Sequence, residues 1–476
     1  MRIKIRNWGP LKEVDYDLSK NLIVTYGDNN IGKSYAMQVI YLLLKHLISY
    51  AKRSVQVSRS LYYFDYEDDP QKPLTPIEML VVAFSREESR DVLDISEELI
   101  EIYTELLERA IYPRLVNSFQ NTFGTYSQIL FEKPEIRLEV SESIHCIFDL
   151  EHEKLTLRMK RKPTRLRKTI SEFHKSRNGK EQLDIYVCQN HVSTPANLIE
   201  EEILKIQREF GLEIAKQVKA VYFLPASRSG IYTGMSSFGP ILAQLSQNRA
   251  YIRGPIQIPS ISEPISDYYM QLSDIRSDTR RSFSEWAEKI EANVLKGNVI
   301  YDKKSKSIVY QPFGSNLRME MGDTSSMVSE ISPITAFLKY IVNTDMPYWL
   351  RRQIGDAEKP KVVLFIEEPE AHLHPQNQIA LIKIFAELSK QNAIMIMASH
   401  SNYIFNQLNN LVLEQKLDKE SYSPIIMQKK RNKSRSSYMH IDELGVDDEN
   451  FADVSEQLFM EREEILCKLS QEMGEQ

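Results

Sequence analysis

The chain of 476 residues is poor in cysteine, with Cys146, Cys188 and Cys467 as its whole complement. Three cysteines, odd in number and far apart, build neither a disulfide framework nor a zinc spacing, and they predict a reducing cytoplasm. A long apolar run is also missing. The longest, VIYLLLKHLISY at 39–50, is interrupted by Lys45 and His46 and is too short to span a bilayer, so no membrane contact is expected. The opening MRIKIRNWGP holds no apolar stretch suited to a signal peptide. Nor is positive charge in excess: 60 Lys and Arg stand against 66 Asp and Glu, a net charge of −6. That excludes a coat for nucleic acid held by bulk charge and leaves only local patches for such contact. Repeats, heptad runs and low-complexity tracts are absent from the sequence.

What is there is a core. A hydrophobic share of 42% beside a charged share of 26% is ordinary for a globular protein that buries apolar surface. At roughly 100–200 residues per domain the length allows about two to four structural units. RIKIRNW alternates and predicts a half-exposed strand, while NLIVTYG (21–27) predicts a buried strand running into a loop, with a helix from about Lys33. Residues 76–122 read as mostly helical, 128–160 as a small antiparallel sheet, 198–218 as a helix and 220–230 as a short strand ending in a turn. Residues 240–296 are mixed, with a Pro- and Ile-rich loop at 253–266 and then a helix, followed by two hairpins within 297–321 and a helix at 331–342. KVVLFIEEPE (361–370) and NAIMIMASHS (392–401) predict buried strands that end in polar residues.

YGDNNIGKSYAM (26–37) carries the first chemistry. Gly27, Asp28, Asn29, Asn30, Ile31, Gly32, Lys33 and Ser34 fit G-x-x-x-x-G-K-[ST]. The glycines let the backbone curl so that its N–H groups face phosphates, Lys33 can reach the β- and γ-phosphates, and the Ser34 hydroxyl can sit on Mg²⁺. The alternative is a surface turn, but an apolar strand before it and a helix after it supply the context the motif requires. Glu367 and Glu368 end a buried strand at the edge where ligands bind in open α/β sheets. Glu367 would hold Mg²⁺ through water, and Glu368 would orient and polarise an attacking water. The plain alternative is an acidic helix cap. His400, at the end of another buried strand, could sense a γ-phosphate or be structural. Ser325 and Ser326, ahead of a helix, could bind a phosphate or serve as an ordinary N-cap.

Together these four elements resemble the ABC-type ATPase head, in the branch shared by SMC, RecF and the overcoming-lysogenization-defect proteins. The resemblance covers roughly 1–45 and 297–412. EEPEAHLHP followed by SHS is specific to that branch, and YFLPASRSG with GVDDENFADVSEQLFMEREEI looks like the stand-alone ATPases of bacterial anti-phage systems of the PARIS, Septu and retron-associated kinds. The resemblance implies an α/β fold with a mixed sheet, an inserted helical and β subdomain and no long coiled coil. It also implies an ATPase core at 1–45 and 220–445, an insertion at 46–219 and a C-terminal helix within 446–476 that packs on the core.

It further implies ATP and Mg²⁺ as cofactors, with Lys33 and Ser34 in the Walker A roles and Glu367 and Glu368 as Walker B acid and catalytic glutamate. Glu370 to His374 match the D-loop and His400 the switch histidine. Ser325 and Ser326 take the signature role, acting on ATP held by a second copy in a homodimer or larger homo-oligomer. Met327 stands where the signature has glycine, which would slow hydrolysis. Arg228 is a candidate for phosphate or trans-subunit contact, or for a core-edge ion pair. The TOPRIM domain of the overcoming-lysogenization-defect enzymes has no counterpart after His400, so a nuclease effector would be a separate chain.

Two basic stretches remain. RMKRKPTRLRK (158–168) has seven positive charges in 11 residues, and KKRNKSR (429–435) has five in seven. Either could meet DNA or RNA phosphates, the first ahead of the second, or simply face water. Three functions stay open at this point: an anti-phage ATPase controlling a separate nuclease, a RecF-type repair ATPase that clamps DNA, and a scaffold with ATP as structural glue.

Overall fold

Leu11–Asp17 (β1) alternates buried and half-buried residues, whereas Leu22–Tyr26 (β2) is buried at every position. The difference follows from sequence: LKEVDYD offers one apolar side and LIVTY offers none to water. The computed structural model describes residues 1–56, 76–87, 89–124, 130–170, 176–179, 181–188, 193–236, 261–276, 279–305, 307–355, 359–431, 433–448 and 456–466. Most of the expected 253–266 loop and Cys467 lie outside them. The chain divides into two compact units, one made of Met1–Gly9, Leu42–Ala220 and Met346–Lys361, the other of Pro10–Tyr41, Val221–Asp345 and Val362–Gln476.

The second unit is built on a mixed sheet. Besides β1 and β2 it holds the start of α1 (Lys33–Gln56), the end of β3 (Val218–Leu224), α2 (Arg228–Ser236), α3 (Glu263–Ser273) and α4 (Ser326–Ala336). Then come β4 (Lys361–Glu367), α5 (Pro375–Leu388), β5 (Ala393–Ala398), α6 (Asn402–Leu413), β6 (Tyr422–Lys430) and β7 (Lys433–Tyr438). The strand order in this unit is β3-β4-β5-β2-β6-β7-β1. β4 pairs parallel with β5, β5 with β2 and β2 with β6, in registers that align Glu367 with Ala398, Ala398 with Thr25 and Ile426 with Tyr26. Four adjacent strands therefore deliver their carboxyl ends to one edge, and the loops that leave them are neighbours.

The expected helix at 331–342 is instead the end of α4 followed by a π-turn at Phe337–Ile341. A second π-turn, Glu291–Leu295, carries its ion-pair partner. Lys339 and Glu291 are both buried, and Lys339 Nζ meets Glu291 Oε1 at 2.6 Å and donates to the Val299 carbonyl at 3.1 Å. A buried ammonium without such partners would be costly, and helical periodicity alone does not register that demand. The two hairpins expected in 297–321 are one three-stranded antiparallel sheet, Gly297–Asp302, Ser307–Pro312 and Met319–Glu320.

The first unit holds an antiparallel sheet in the order Arg2–Trp8, Leu130–Ser141, Ile144–Asp149 and Lys154–Met159. A smaller sheet orders Val92–Asp94, Thr164–Lys168, Leu183–Val187 and Ser176–Asn178. Helices at Pro76–Arg86, Ser96–Phe123 and Ser193–Gln217 complete it, so the helical reading of 76–122 is two helices with a short strand between. Aromatic contacts fill the interior: Trp8 lies 5.0 Å from Phe119, and the Tyr50 and Tyr103 hydroxyls share a 2.9 Å hydrogen bond.

Residues 456–466 are helical and exposed at each position, Leu458, Phe459, Met460, Ile465 and Leu466 included. They do not show the packing on the core expected of the C-terminal helix. Among the described residues no helix is long and apolar enough to cross a membrane.

Candidate functional site

Beyond Tyr26 the chain turns through backbone that only some residues tolerate. Gly27 has φ +131° and Gly32 φ +92°, and Asn30 sits at φ +59°. A Cβ on Gly27 would meet the Met427 carbonyl oxygen at 2.4 Å, so β6 closes over the loop. α1 then begins at Lys33, which aims its first N–H groups and positive dipole end at the loop. A strand, a loop with these turns and a helix N-terminus have the backbone geometry of a P-loop, which suits a phosphate group.

Lys33 is buried, and its Nζ donates to the carbonyls of Gly27 and Asp28, each at 2.8 Å. Burial lowers its ammonium to about 8, against the pull of Glu368, Asp28 and Glu370. His400 Nδ1 lies 3.4 Å from the same Nζ. A charged ammonium can only donate, which makes Nδ1 the acceptor and leaves the ring proton on Nε2. Burial, and next the Lys33 charge, hold the His400 imidazole below its ordinary pKa, so it is neutral near pH 7.

The paired acids separate in character. Glu367 is buried and Glu368 exposed. Glu367 Oε2 accepts from the Ala226 N–H at 3.1 Å, while Oε1 is buried without a hydrogen-bond partner. Burial raises the Glu367 pKa. The Ala226 N–H, the Ser34 hydroxyl and Arg228 pull it back, while the Glu368 charge adds to the rise. An unmatched carboxylate oxygen beside a hydroxyl fits a hydrated Mg²⁺, which takes one or two protein oxygens and fills its shell with water and phosphate. Among the described residues no group of three or more His, Cys, Asp or Glu could cage a metal alone.

Glu368 adopts φ +41°, with its N–H on the Ala398 carbonyl at 2.9 Å. Glu370 turns away from solvent: Oε1 accepts from Ser399 Oγ at 2.9 Å and from the His400 N–H at 2.5 Å. His374 caps α5, its ring accepting from the Gln376 N–H. Asn29, Asn30, Ile31, Gly32, Lys33, Ser34, Glu368 and His400 line one cavity of about 590 Å³, with Pro10, Tyr35 and Gln38 completing the wall. The last three carry no motif and are found only through the fold.

Ser325 and Ser326 are not part of that wall. Ser325 is the N-cap of α4, its Oγ accepting from the Val328 N–H, and both serines are exposed. Met327 Sδ accepts from Asn377 Nδ2 at 3.0 Å.

Arg228 is fully buried and does not reach phosphate space. Nη1 donates to the carbonyls of Pro225 (3.0 Å) and Glu367 (2.7 Å), Nη2 to that of Glu368 (3.1 Å) and Nε to that of Glu330 (3.0 Å). Its guanidinium also pairs with the Glu330 carboxylate. Of the two expectations for Arg228, the ion pair is the one observed.

Three of the seven basic residues of the 158–168 stretch are ion-paired. Arg161 forms a fork on Glu209 at 2.8 and 3.3 Å and pairs with Glu202 at 3.5 Å. Arg165 pairs with Asp94 and Arg167 with Asp184, and Lys168 Nζ donates to the Glu87 carbonyl. Those three arginines thus tie the smaller sheet and the Ser193–Gln217 helix together. The 429–435 stretch is the β6–β7 hairpin, with Arg431 at φ +48° in the turn and exposed.

Residues 1–405 match the family described as AAA ATPase domain. The match spans most of the chain, and the chain belongs to that family. None of the curated proteins compared matches it. Among solved structures it aligns with an SMC head bound to the C-terminal winged-helix domain of ScpA, at 11% identity and a TM-score of 0.35 over 93% of this chain and 98% of that one. It also aligns with the SMC head domain from Thermotoga maritima, at 8% identity and a TM-score of 0.33 over 92% of this chain and 98% of that one. A third is an SMC head with an extended coiled coil, bound to the C-terminal domain of ScpA, derived from Pyrococcus furiosus. There the identity is 9% and the TM-score 0.29, over 97% of this chain and 98% of that one.

Proposed function

We propose that this chain is an ABC-type ATPase that binds and hydrolyses ATP between two copies of itself. The observation that carries the reading is the division of the site. Lys33, Ser34, Glu368 and His400 converge on one cavity, while Ser325 and Ser326 stand exposed elsewhere on an eleven-residue helix that offers its N-terminus. A helix start with two hydroxyls suits the phosphates of a nucleotide held by another copy.

In this reading the loop 27–32 cradles phosphate oxygens with its N–H groups, and Lys33 exchanges its loop carbonyls for phosphate. Ser34 and Glu367 would hold Mg²⁺, which would supply positive charge to the phosphate oxygens. Glu368 accepts hydrogen from the attacking water, and the protonated Nε2 of His400 donates towards the γ-phosphate. Glu368→Gln keeps the shape and removes the base. It is expected to bind ATP, lose turnover by about 100-fold or more and accumulate dimers with ATP. Unchanged turnover would remove Glu368 from its role.

The finer reading is an ATPase of an anti-phage system that controls a separate nuclease effector of TOPRIM or HNH type. The sequence likeness at 222–230 and 445–465 supports it, and so do the exposed apolar side chains of 456–466, which suit a protein partner. Co-expression with the products of adjacent reading frames, followed by affinity purification with and without ATP, tests it. Absence of any nuclease partner in both states would rule the effector out.

A further inference from the structure

Glu368 sits in a left-handed conformation that an L-residue keeps only when its surroundings hold it. Its carbonyl is held by Arg228 Nη2 and by the Ala371 N–H. The same guanidinium holds the Glu367 carbonyl, so one side chain fixes the main chain of both acids through their carbonyl oxygens. The other side of Arg228 belongs to α4. Glu330 gives its carbonyl to Nε and its carboxylate to the Arg228 and Ser229 N–H groups and to Ser229 Oγ. Glu330 lies just over one turn along the helix that Ser325 caps and Ser326 begins.

We propose that Arg228 is a positioning residue for Glu368 and that Glu330 ties its placement to α4, so that engagement of Ser325 and Ser326 by a second copy sets the Glu368 turn. The inference rests on the two-copy reading above. A guanidinium is planar with donors in a fixed fork, so it cannot follow α4 and keep its bonds to β4 unless both move together. Movement of the serines therefore reaches the water-activating acid through one buried side chain. Lysine, with donors on a single nitrogen, cannot hold the same set of carbonyls.

The test uses Arg228→Lys and Glu330→Gln in the full chain, with Glu368→Gln beside them. ATP affinity and turnover per chain are measured across protein concentration. Both variants are expected to keep ATP affinity within about twofold and to lose turnover by about 10- to 100-fold, as for a misplaced catalytic group. The rise of turnover with protein concentration is expected to flatten. Glu330→Gln keeps the side-chain shape and one acceptor, so it carries the test if Arg228→Lys does not fold. Wild-type turnover with wild-type concentration dependence overturns the positioning role. Loss of ATP binding overturns it equally, because the phosphate loop is not among the groups Arg228 holds. If Glu368→Gln itself remains active, the site reading falls and the inference with it.

Discussion

Glu370 holds His400 by its main chain: Oε1 accepts the His400 N–H at 2.5 Å while Ser399 Oγ donates to the same oxygen at 2.9 Å. The carboxylate that follows the acid pair thus fixes the place of the histidine at the end of the neighbouring strand. Glu370→Ala leaves those donors unmatched. Turnover should fall about tenfold or more at nearly constant ATP affinity, with a stability loss of about 1–3 kcal/mol. A double variant with His400→Ala should be no worse in turnover than the poorer single one. Additive losses would separate the two residues.

Gly27→Ala places a Cβ 2.4 Å from the Met427 carbonyl oxygen at φ +131°. Backbone on β6 cannot yield as a side chain could. Nucleotide binding is expected to be lost, with destabilisation of about 1–3 kcal/mol. Titration with a fluorescent ATP analogue and urea unfolding measure the two effects, and intact binding would contradict the fit.

Arg161→Ala should act on stability rather than on nucleic acid. It leaves Glu209 without its fork and the buried Glu202 with Lys205 as its remaining partner. A loss of about 1–2 kcal/mol in urea unfolding is expected, with no change in filter-retained DNA or RNA at low salt. A large drop in retention would restore the 158–168 surface.

Tyr16 and Thr25 share a 2.7 Å hydrogen bond in the core, and burial, set against that bond, pushes the Tyr16 hydroxyl up to about 12. The unfolded chain ionises nearer pH 10, so its protons leave first. The stability Tyr16 contributes is whole below pH 10 and is lost as pH rises to about 12. At pH 11 the loss is about 1.4 kcal/mol. Tyr16→Phe should flatten the fall between pH 8 and 11 by that amount. Equal slopes in the two proteins would refute the assignment.

The sequence made the phosphate loop legible because its determinants are local. Glycines at fixed offsets, a lysine and an apolar strand before them state the turn and its chemistry within twelve residues. Glu367 and Glu368 were legible for a similar reason, as acids directly after a buried run. Arg228 was legible only as far as an ion pair, because its partner Glu330 and the carbonyls it holds come from segments that only the sheet order brings to it. The ion pairs of Arg161, Arg165 and Arg167 were hidden in the same way: Asp94, Asp184, Glu202 and Glu209 sit in other segments, and nothing near Arg161 announces them. The π-turn at Phe337 was hidden by a periodicity that fits an α-helix until the buried Lys339 demands a partner.

β2 lies between β5 and β6, so both edges of the phosphate strand are completed by chain made some 370 to 400 residues later. During synthesis at about 5–20 residues per second, that strand waits tens of seconds with its apolar faces and ladder groups unpaired. Until then the nascent chain carries open strand edges. It also cannot close a nucleotide site before Tyr422–Lys430 has left the ribosome. A product truncated before β6 therefore lacks the strand whose Met427 carbonyl packs on Gly27, and the loop is left without that wall.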